Sequence, residues 1–326
     1  MAEKKEDFES IRQIYTVLVL HFIDGMKQSD IAAAMNLSPS KVNRLIAQGR
    51  KLGMVRIEVE SPFQRLVDLE KRMMEAAGLA NAVVAPTVSG SPETTIQQVG
   101  RAAANQLLEV LRDGDVLAIT GGKAVSAVVE NLLPERTFDV TVVPLTGGVQ
   151  GKHYTDVNHL ATRLAEKLGG RTMLVHAPLF AESREQRDML IDMASIRAVF
   201  DLARKAAVAL VGIGSIQTAS SSYYDLHPMP NPDRELLARS GAAGEFLAHL
   251  IRDDGSMADY PLNLRLVALE PEELSNCRRT IGVAAGPEKV RPIRAALAGR
   301  YLDSLVVDEE TAQAVLEAMG GLRDVA

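Results

Sequence analysis

The sequence has little that would support secretion, disulfide bonding or a membrane span. Cys277 is the one cysteine among 326 residues, so neither an internal disulfide nor a multi-cysteine metal site can form. The first ten residues are charged and contain no apolar signal core, and no run of about 20 apolar residues occurs. Tryptophan is absent and aromatic residues make up 4%, which argues against a stacking platform for single-stranded nucleic acid. We expect a cytoplasmic protein that does not cross a membrane.

The charge that is present is unevenly distributed. The whole chain has a formal charge of −6, and 47% of its residues are hydrophobic, as in an ordinary globular protein of about two domains. Residues 27–57 carry a charge of +5, which leaves −11 on the remainder. A cationic module on an anionic body can neutralise phosphates with one part while the other part is repelled by them. Chance clustering of surface lysines is the alternative explanation.

A helix-turn-helix motif is predicted at the front of the chain. Apolar residues recur at helical spacing over residues 11–23, and a second helix begins near Gln28. The turn Asn36-Leu37-Ser38 follows, and asparagine enters the left-handed region that such a turn needs at little cost. Ser38 can cap a third helix, Pro39 suits its first position, and Gly53 ends it.

The polar face of the third helix predicts contact with double-stranded DNA. Its side chains can reach base edges or phosphates from the major groove. Beyond it, residues 54–60 alternate in the manner of a strand, which predicts a small wing that carries Arg56. The alternative is an ordinary helical hairpin with a solvated basic face. The residues predicted to contact DNA are Ser38, Ser40, Lys41, Asn43, Arg44, Arg50, Lys51 and Arg56.

The rest of the chain alternates short apolar strands with helices. A helix over residues 62–78 is predicted to link two domains. Because nearly all-apolar strands separated by helices are typical of a parallel sheet covered on both faces, the fold class is α/β. We expect an N-terminal winged helix-turn-helix at 1–60, a linker helix at 61–80 and a doubly wound, mainly parallel α/β effector domain at 81–326. Strands are predicted at 82–86, 115–120, 140–145, 171–176, 207–213, 281–285 and 305–308.

Ligands of such sheets bind beyond the carboxyl ends of the strands, which draws attention to four loops. These loops begin at Thr120, Thr146, Gly212 and Gly286. The first two both read Thr-Gly-Gly, and such loops bring backbone N–H groups and hydroxyls to ligand oxygens. Tight turns without a ligand are the alternative. Neither a P-loop nor a dinucleotide fingerprint is complete, because Ala124 follows the lysine of the first loop and a third glycine is missing after Gly214, so an NAD-sensing repressor has weak support.

The order of these motifs resembles the SorC family of bacterial transcriptional regulators, also called the SorC/DeoR sugar-binding regulators. The resemblance covers nearly the full length of the chain. It implies an effector domain related in fold to sugar-phosphate isomerases, and a homo-oligomer, dimer or tetramer, that binds operator DNA and a sugar, polyol or sugar phosphate. The motifs that carry it are the front helix-turn-helix, Val143-Pro-Leu-Thr-Gly-Gly148, Asn158-His-Leu-Ala-Thr-Arg-Leu-Ala165, His176-Ala-Pro178, Asp201-Leu-Ala-Arg204, Ala209-Leu-Val-Gly-Ile-Gly-Ser215, Gly241-Ala-Ala-Gly-Glu245 and Val283-Ala-Ala-Gly-Pro-Glu-Lys289.

The resemblance also implies which residues bind the effector. By motif position these are Thr120, Gly121, Gly122, Lys123, Thr146, Gly147, Gly148, Asp156, Asn158, Glu245 and Lys289. An acid stands at Asp156 where the family commonly has an amide, which favours hydroxyl groups nearby. No metal, cofactor or enzymatic activity is expected. The alternative is a sugar-phosphate isomerase with an accessory DNA-binding domain, for which Asp156, Glu245 and Asp225 are the candidate acids.

Overall fold

The computed structural model describes residues 2–55, 64–149, 154, 156–217, 222–226, 237 and 239–323, and side chains from residue 9 onward apart from 222, 225 and 321–323. The chain divides into two compact units, Met1–Pro62 and Phe63–Ala326. Across the described residues, no helix combines the length and the apolar character that crossing a membrane requires.

The described residues of the first unit form a bundle of three helices. They are α1 (Ala2–Leu18), which continues as a π-helical turn (Val19–Ile23), α2 (Gln28–Ala34) and α3 (Pro39–Lys51). Each helix contributes one apolar stripe to a common core, and this amphipathic pattern made the helices readable from the sequence. The core consists of Ile14, Val17, Leu18, Ile31, Ala32, Val42, Leu45 and Ile46.

The turn between α2 and α3 has the predicted local chemistry. Asn36 adopts a positive φ of 52°. The Ser38 hydroxyl accepts a hydrogen bond from the Lys41 N–H at 3.2 Å, and Pro39 occupies the first helical position. The wing predicted at 54–60 and its Arg56 lie outside the described residues, except for residues 54 and 55, which are not in a strand.

The second unit is built on a parallel sheet with helices on both faces, as predicted. Its strands are β1 (Asn81–Ala85), β2 (Val116–Ile119), β3 (Thr141–Pro144), β4 (Arg171–Thr172), β5 (Val208–Gly214), β6 (Ala242–Phe246), β7 (His249–Arg252), β8 (Arg279–Val283) and β9 (Ser304–Asp308). Its helices are α4 (Gln64–Ala77), α5 (Pro92–Val110), α6 (Lys123–Asn131), α7 (Val157–Leu168), α8 (Arg184–Asp192), α9 (Ala194–Ala203), α10 (Ser222–Leu226), α11 (Val290–Ala298) and α12 (Glu309–Arg323).

The strand order contains one reversal of direction. The order is β1-β9-β8-β5-β2-β3-β4, and each neighbouring pair on this path is parallel. From β2 the sheet grows through β3 to β4, whereas from β5 it grows on the other side through β8 and β9. The gap between the carboxyl ends of β2 and β5 is therefore the switch point at which open α/β sheets bind ligands.

Two apolar cores cover the sheet because alternate residues of each strand point to opposite faces. On β5, Ala209 and Val211 belong to one core and Val208 and Leu210 to the other. Helices α4, α9, α11 and α12 supply side chains to the first core, and α5, α6 and α7 supply the second. Burial on both faces explains why the strands are apolar throughout rather than alternating.

The helix predicted as a linker is part of the second unit. Helix α4 packs against β1 and α12. Its residues Leu66, Leu69 and Met73 are buried in the core of that unit. The Glu70 carboxylate also accepts a hydrogen bond from the Val84 N–H of β1 at 2.9 Å. These contacts fix α4 to β1 and α12.

Three local features differ from the sequence expectations. Strand β4 ends at Thr172 because both backbone groups of Val175 pair with the Asn158 side chain, at 3.1 and 2.9 Å, rather than with a strand. The antiparallel hairpin of β6 and β7 was not predicted. Its turn places Leu247 and Ala248 at φ values of 51° and 65°, without the Asn-Gly or Asp-Gly pair that usually announces such a turn. Helix α8 was not predicted either, and it has no buried residues.

Candidate functional site

The exposed face of α3 presents the residues predicted to contact DNA. Ser40, Arg44 and Lys51 lie at positions i, i+4 and i+11, which is one face of a helix, and Asn43 lies beside them. All four are exposed, as are Ser38 and Arg50, whereas Lys41 at the flank is half-buried. The opposite face holds the buried core residues. The face is therefore polar, cationic and open to solvent over three turns.

The cations of α3 are not neutralised by neighbouring acids in residues 9–55, the part of this unit whose side chains are described. Asp30 is the single acid among residues 27–55, and the Ser29 hydroxyl donates to it at 3.1 Å. The Arg50 guanidinium lies 5.5 Å from the centre of the Phe22 ring, an arrangement that leaves its positive charge in place. The field of this surface suits a phosphate backbone.

A cavity of about 1070 Å³ opens at the carboxyl ends of the strands. The loops that follow β1, β2, β3, β5, β8 and β9 all contribute to its lining. The four loops singled out from the sequence are among them. The cavity therefore lies at the switch point, where the strand order leads one to expect a ligand.

Most of the residues predicted to bind the effector line this cavity. Gly148, Asp156 and Asn158 are not among the lining residues and make local bonds instead. Asp156 caps α7, because its carboxylate accepts from the N–H groups of Asn158 and His159. Asn158 holds Val175, as described above. The predicted residues that line the cavity are Thr120, Gly121, Gly122, Lys123, Thr146, Gly147, Glu245 and Lys289.

A side-chain hydrogen bond joins the ends of β2 and β5 at the switch point. The Thr120 hydroxyl accepts from the Gly212 N–H at 3.0 Å, which ties the two strand ends together. Gly122, at a φ of 116°, is the N-cap of α6 and provides no side chain to accept from the first N–H groups of that helix. Such N–H groups have no acceptor within a helix and carry a positive potential. Lys123 adds an ammonium, 5.6 Å from the centre of the Tyr154 ring.

Glu245 and Lys289 form the charged centre of the cavity. Burial raises the pKa of Glu245 to about 7, against the opposing effects of the Ala248 N–H bond and the Lys289 charge. Burial lowers the pKa of Lys289, which the carboxylates of Glu288 and Glu245 partly offset. Gly214 pairs with Glu245 in the sheet, and a Cβ on Gly214 would overlap the carboxylate. Glycine at this position therefore gives the Glu245 side chain its room.

The wall formed by the loops after β1 and β9 was not anticipated. Thr87, Glu93, Asp308 and Glu310 all line the cavity. Ligands of parallel sheets bind beyond the carboxyl ends of the strands, and this holds for β1 and β9 as well as for β2, β3, β5 and β8. The wall could therefore have been predicted from the sequence. Neither loop has the repeated glycines that made the other loops conspicuous.

The arrangement can bind a ligand that is rich in oxygen atoms. Backbone N–H groups, the Thr120 hydroxyl and two ammonium groups are donors, and Glu245 is an acceptor for hydroxyls. In the part of the chain that the structure describes, no group of three or more histidine, cysteine, aspartate or glutamate side chains is placed to hold a metal ion. A polyhydroxylated metabolite, with or without one phosphate, fits this set of groups.

In comparisons with known proteins, the chain matches two family models and is similar to several transcriptional regulators. Residues 61–317 match the family model described as a putative sugar-binding domain, and residues 16–52 match the model described as sigma-70, region 4. The chain is 30% identical over 308 residues to the erythritol catabolism regulatory protein EryD of Brucella abortus, covering 93% of this chain and 95% of that protein. It is also 30% identical to the transcriptional regulator LsrR of Klebsiella pneumoniae, covering 91% of this chain and 90% of that protein.

A solved structure shows the same architecture. The full-length sorbitol operon regulator SorC from Klebsiella pneumoniae superposes with a TM-score of 0.72 at 27% sequence identity. The match covers 94% of this chain and 99% of that one, so it includes both the helix-turn-helix unit and the sheet.

The raised pKa of Glu245 predicts a specific pH dependence of stability. Between pH 4.5 and about 7 the folded protein holds a proton on Glu245 that the unfolded chain has already lost. The free energy of unfolding therefore falls as pH rises through this window. Glu245→Gln removes the titrating carboxyl. The free energy of unfolding of the variant, relative to that of wild type, should therefore rise by about 1–3 kcal/mol between pH 5 and pH 8. Urea unfolding at both pH values measures it.

The control for this prediction is Glu75→Gln, which removes an exposed carboxyl on α4. Its stability relative to wild type should change little between the two pH values. A Glu245→Gln variant that tracks the wild type at both pH values would contradict a raised pKa at this site.

Proposed function

This chain belongs to the SorC family of sugar-binding transcriptional regulators, and on that premise we propose that it is a regulator whose affinity for operator DNA is set by a small polyhydroxylated effector. In this proposal α3 binds the operator and the switch-point cavity binds the effector. The effector is a sugar, a polyol or a sugar phosphate, and the genes controlled are those of carbohydrate catabolism. The observation that carries the proposal is the presence of both features in one chain: a cationic helix face without ion-pairing acids among the described residues 9–55, and a cavity at the strand ends.

The proposed contact of α3 with DNA rests on the positions of its exposed side chains. Asn43 and Arg44 are the types of side chain that bond the edges of adenine and guanine in the major groove. Lys51, the last residue of α3, suits contact with a phosphate, which adds affinity without reading sequence. Ser38, Ser40, Lys41 and Arg50 complete the proposed surface. Arg56, in the predicted wing, is retained as part of it.

The role of the cavity rests on its chemistry and on the names of the relatives. EryD is named for erythritol catabolism and SorC for the sorbitol operon. Both compounds are polyols whose hydroxyls can donate to Glu245 and accept from backbone N–H groups of the glycine loops. Lys123 and Lys289 can hold a phosphate if the effector carries one. The remaining proposed contacts come from Gly121, Thr146 and Gly147. We propose that Gly148, Asp156 and Asn158, which do not line the cavity, support these loops through their local bonds.

An effector can regulate only through a difference in its affinity for two arrangements of the protein. We propose that one arrangement binds the operator and the other does not. We further propose that the protein acts in the cytoplasm as a homo-oligomer, dimer or tetramer, since helix-turn-helix proteins commonly bind two half-sites related by the symmetry of the oligomer.

A regulator is favoured over a sugar-phosphate isomerase. A pKa near 7 at Glu245 would suit a general base. Isomerisation also needs an acid placed beside it, and Asp156, one of the candidate acids, is occupied in capping α7. The named relatives are transcriptional regulators.

Substitutions on α3 should separate base reading from phosphate binding. Arg44→Ala should weaken binding to the DNA upstream of the protein's own gene by about 1–3 kcal/mol and relax specificity at one base pair. Lys51→Ala should weaken binding about equally on specific and random duplexes and reduce the salt slope by about one. Fluorescence anisotropy at several salt concentrations measures both, with the exposed Lys71→Ala on α4 as the control. Equal affinity of the wild type for specific and random DNA would rule out base reading.

The cavity should bind a member of a defined polyol panel. The panel is erythritol, D-sorbitol and the monophosphate of each, and a compound that prefers the folded state raises the melting temperature of the full-length protein. Lys289→Gln should weaken the binding of a phosphorylated compound about tenfold or more, because it removes a charged hydrogen-bond donor. Lys205→Gln, an exposed lysine outside the cavity, is the control. A compound that stabilises wild type and Lys289→Gln equally would contradict the assignment of Lys289.

A further inference from the structure

Asp308, the last residue of β9, holds three segments of the cavity wall together. It is 1% exposed. Its carboxylate accepts from the Thr87 hydroxyl at 2.9 Å and from the Gly286 N–H at 2.9 Å. Thr311 donates twice more, from its N–H at 3.2 Å and from its hydroxyl at 2.6 Å. The loops after β1 and β8 and the first turn of α12 are thus bonded to one buried carboxylate.

Thr87 also accepts a hydrogen bond from the first turn of α12. The Thr87 hydroxyl oxygen accepts from the Glu310 N–H at 3.0 Å. Thr87, Gly286, Asp308 and Glu310 all line the cavity. A ligand that displaces the loop after β1 or the loop after β8 therefore acts directly on the first turn of α12.

Glu309 stands between two cavity residues and has a partner outside the cavity. Its carboxylate forms an ion pair with the Nε of Arg65, the second residue of α4. The Glu309 side chain is 14% exposed and that of Arg65 77%. Helix α4 is the element of the second unit that follows the helix-turn-helix unit in the chain, with residues 56–63 between them. One turn of α12 thus contacts the cavity on one side and the start of α4 on the other.

We propose that the turn 308–311 is the relay that transmits occupancy of the cavity to helix α4, with Asp308 as the positioning residue on the cavity side and the Glu309–Arg65 ion pair as the connection on the other. This inference rests on the proposed function, because the relay has a role only if the cavity binds an effector. The Arg65 partner is largely exposed to solvent, which limits the contribution of this ion pair to stability. In this proposal the Glu309–Arg65 pair couples two segments, and its loss changes communication more than it changes folding.

Hydrogen exchange in the ligand-free, full-length protein tests the relay. Thr87→Val keeps the shape of the side chain but removes its bonds to Asp308 and Glu310. In the otherwise wild-type chain it should raise the exchange rates of the amides in residues 64–71 about threefold or more. In the Glu309→Gln background the same substitution should leave those rates unchanged.

The background comparison is needed because α4 also packs on β1, through the Val84–Glu70 bond among other contacts. A direct effect through β1 would appear equally in both backgrounds, and that result would overturn the proposal. Asp113→Asn, which breaks the exposed Arg136–Asp113 pair, is the matched control and should leave the Thr87→Val effect intact. The charge exchange Arg65→Glu with Glu309→Arg should restore the threefold effect, and failure to restore it would also count against the proposal.

Operator titrations give a second readout that a structural role would not move. With whichever panel compound most raises the melting temperature, Glu309→Gln should bind that compound as wild type does but show an effector-dependent change in operator affinity at least threefold smaller. An undiminished change would overturn the relay. If no panel compound acts on the wild type, the proposed function loses support, while the exchange experiment still decides whether the relay exists.

Discussion

The reversal of strand order between β2 and β5 is the constraint on which the rest of the second unit depends. Parallel strands bring all their carboxyl ends to one edge of the sheet, and the two directions of growth leave a gap there that side chains from neighbouring connections do not fill. The Thr120–Gly212 hydrogen bond spans that gap. The loops that line the cavity are brought together by this topology and by nothing local in their own sequences.

The cavity lining carries charges of both signs. Lys289 lies near both Glu245 and Glu288, and burial acts on Glu245 and Lys289 in opposite directions, toward the neutral form of each. A site of this kind can both donate hydrogen bonds to hydroxyl groups and accept hydrogen bonds from them. The contrast with α3, whose cations face solvent without acidic neighbours among the described side chains, matches two different ligands: a small metabolite and a polyanion.

The sequence predicted the elements that local chemistry specifies. The Ser38 cap, the left-handed Asn36 and the apolar strands were all readable because each rests on a few adjacent residues. Where a distant side chain decides, the prediction failed, as for β4, which ends because Asn158 takes the backbone groups of Val175. The resemblance placed Asp156 in the effector site, whereas its carboxylate caps α7, and a cap and a ligand contact use the same carboxylate.

The sequence could not indicate the proposed coupling between the cavity and helix α4. Residues 65, 87 and 308–311 are separated by up to 246 positions in the chain, and hydrogen bonds and an ion pair join them in the folded structure. The family match and the two-unit architecture indicate that DNA and effector binding occur in one chain. The bonds of Asp308 and the adjacent Glu309–Arg65 ion pair connect a cavity wall to α4.

The most direct test of the central claim is an anisotropy titration of the full-length protein on the DNA upstream of its own gene, at two salt concentrations, with and without each compound of the polyol panel. The account predicts an affinity that falls steeply with salt and that changes about fivefold or more with a compound that also raises the melting temperature. Binding that is insensitive to salt, or an affinity that no stabilising compound changes, would contradict it.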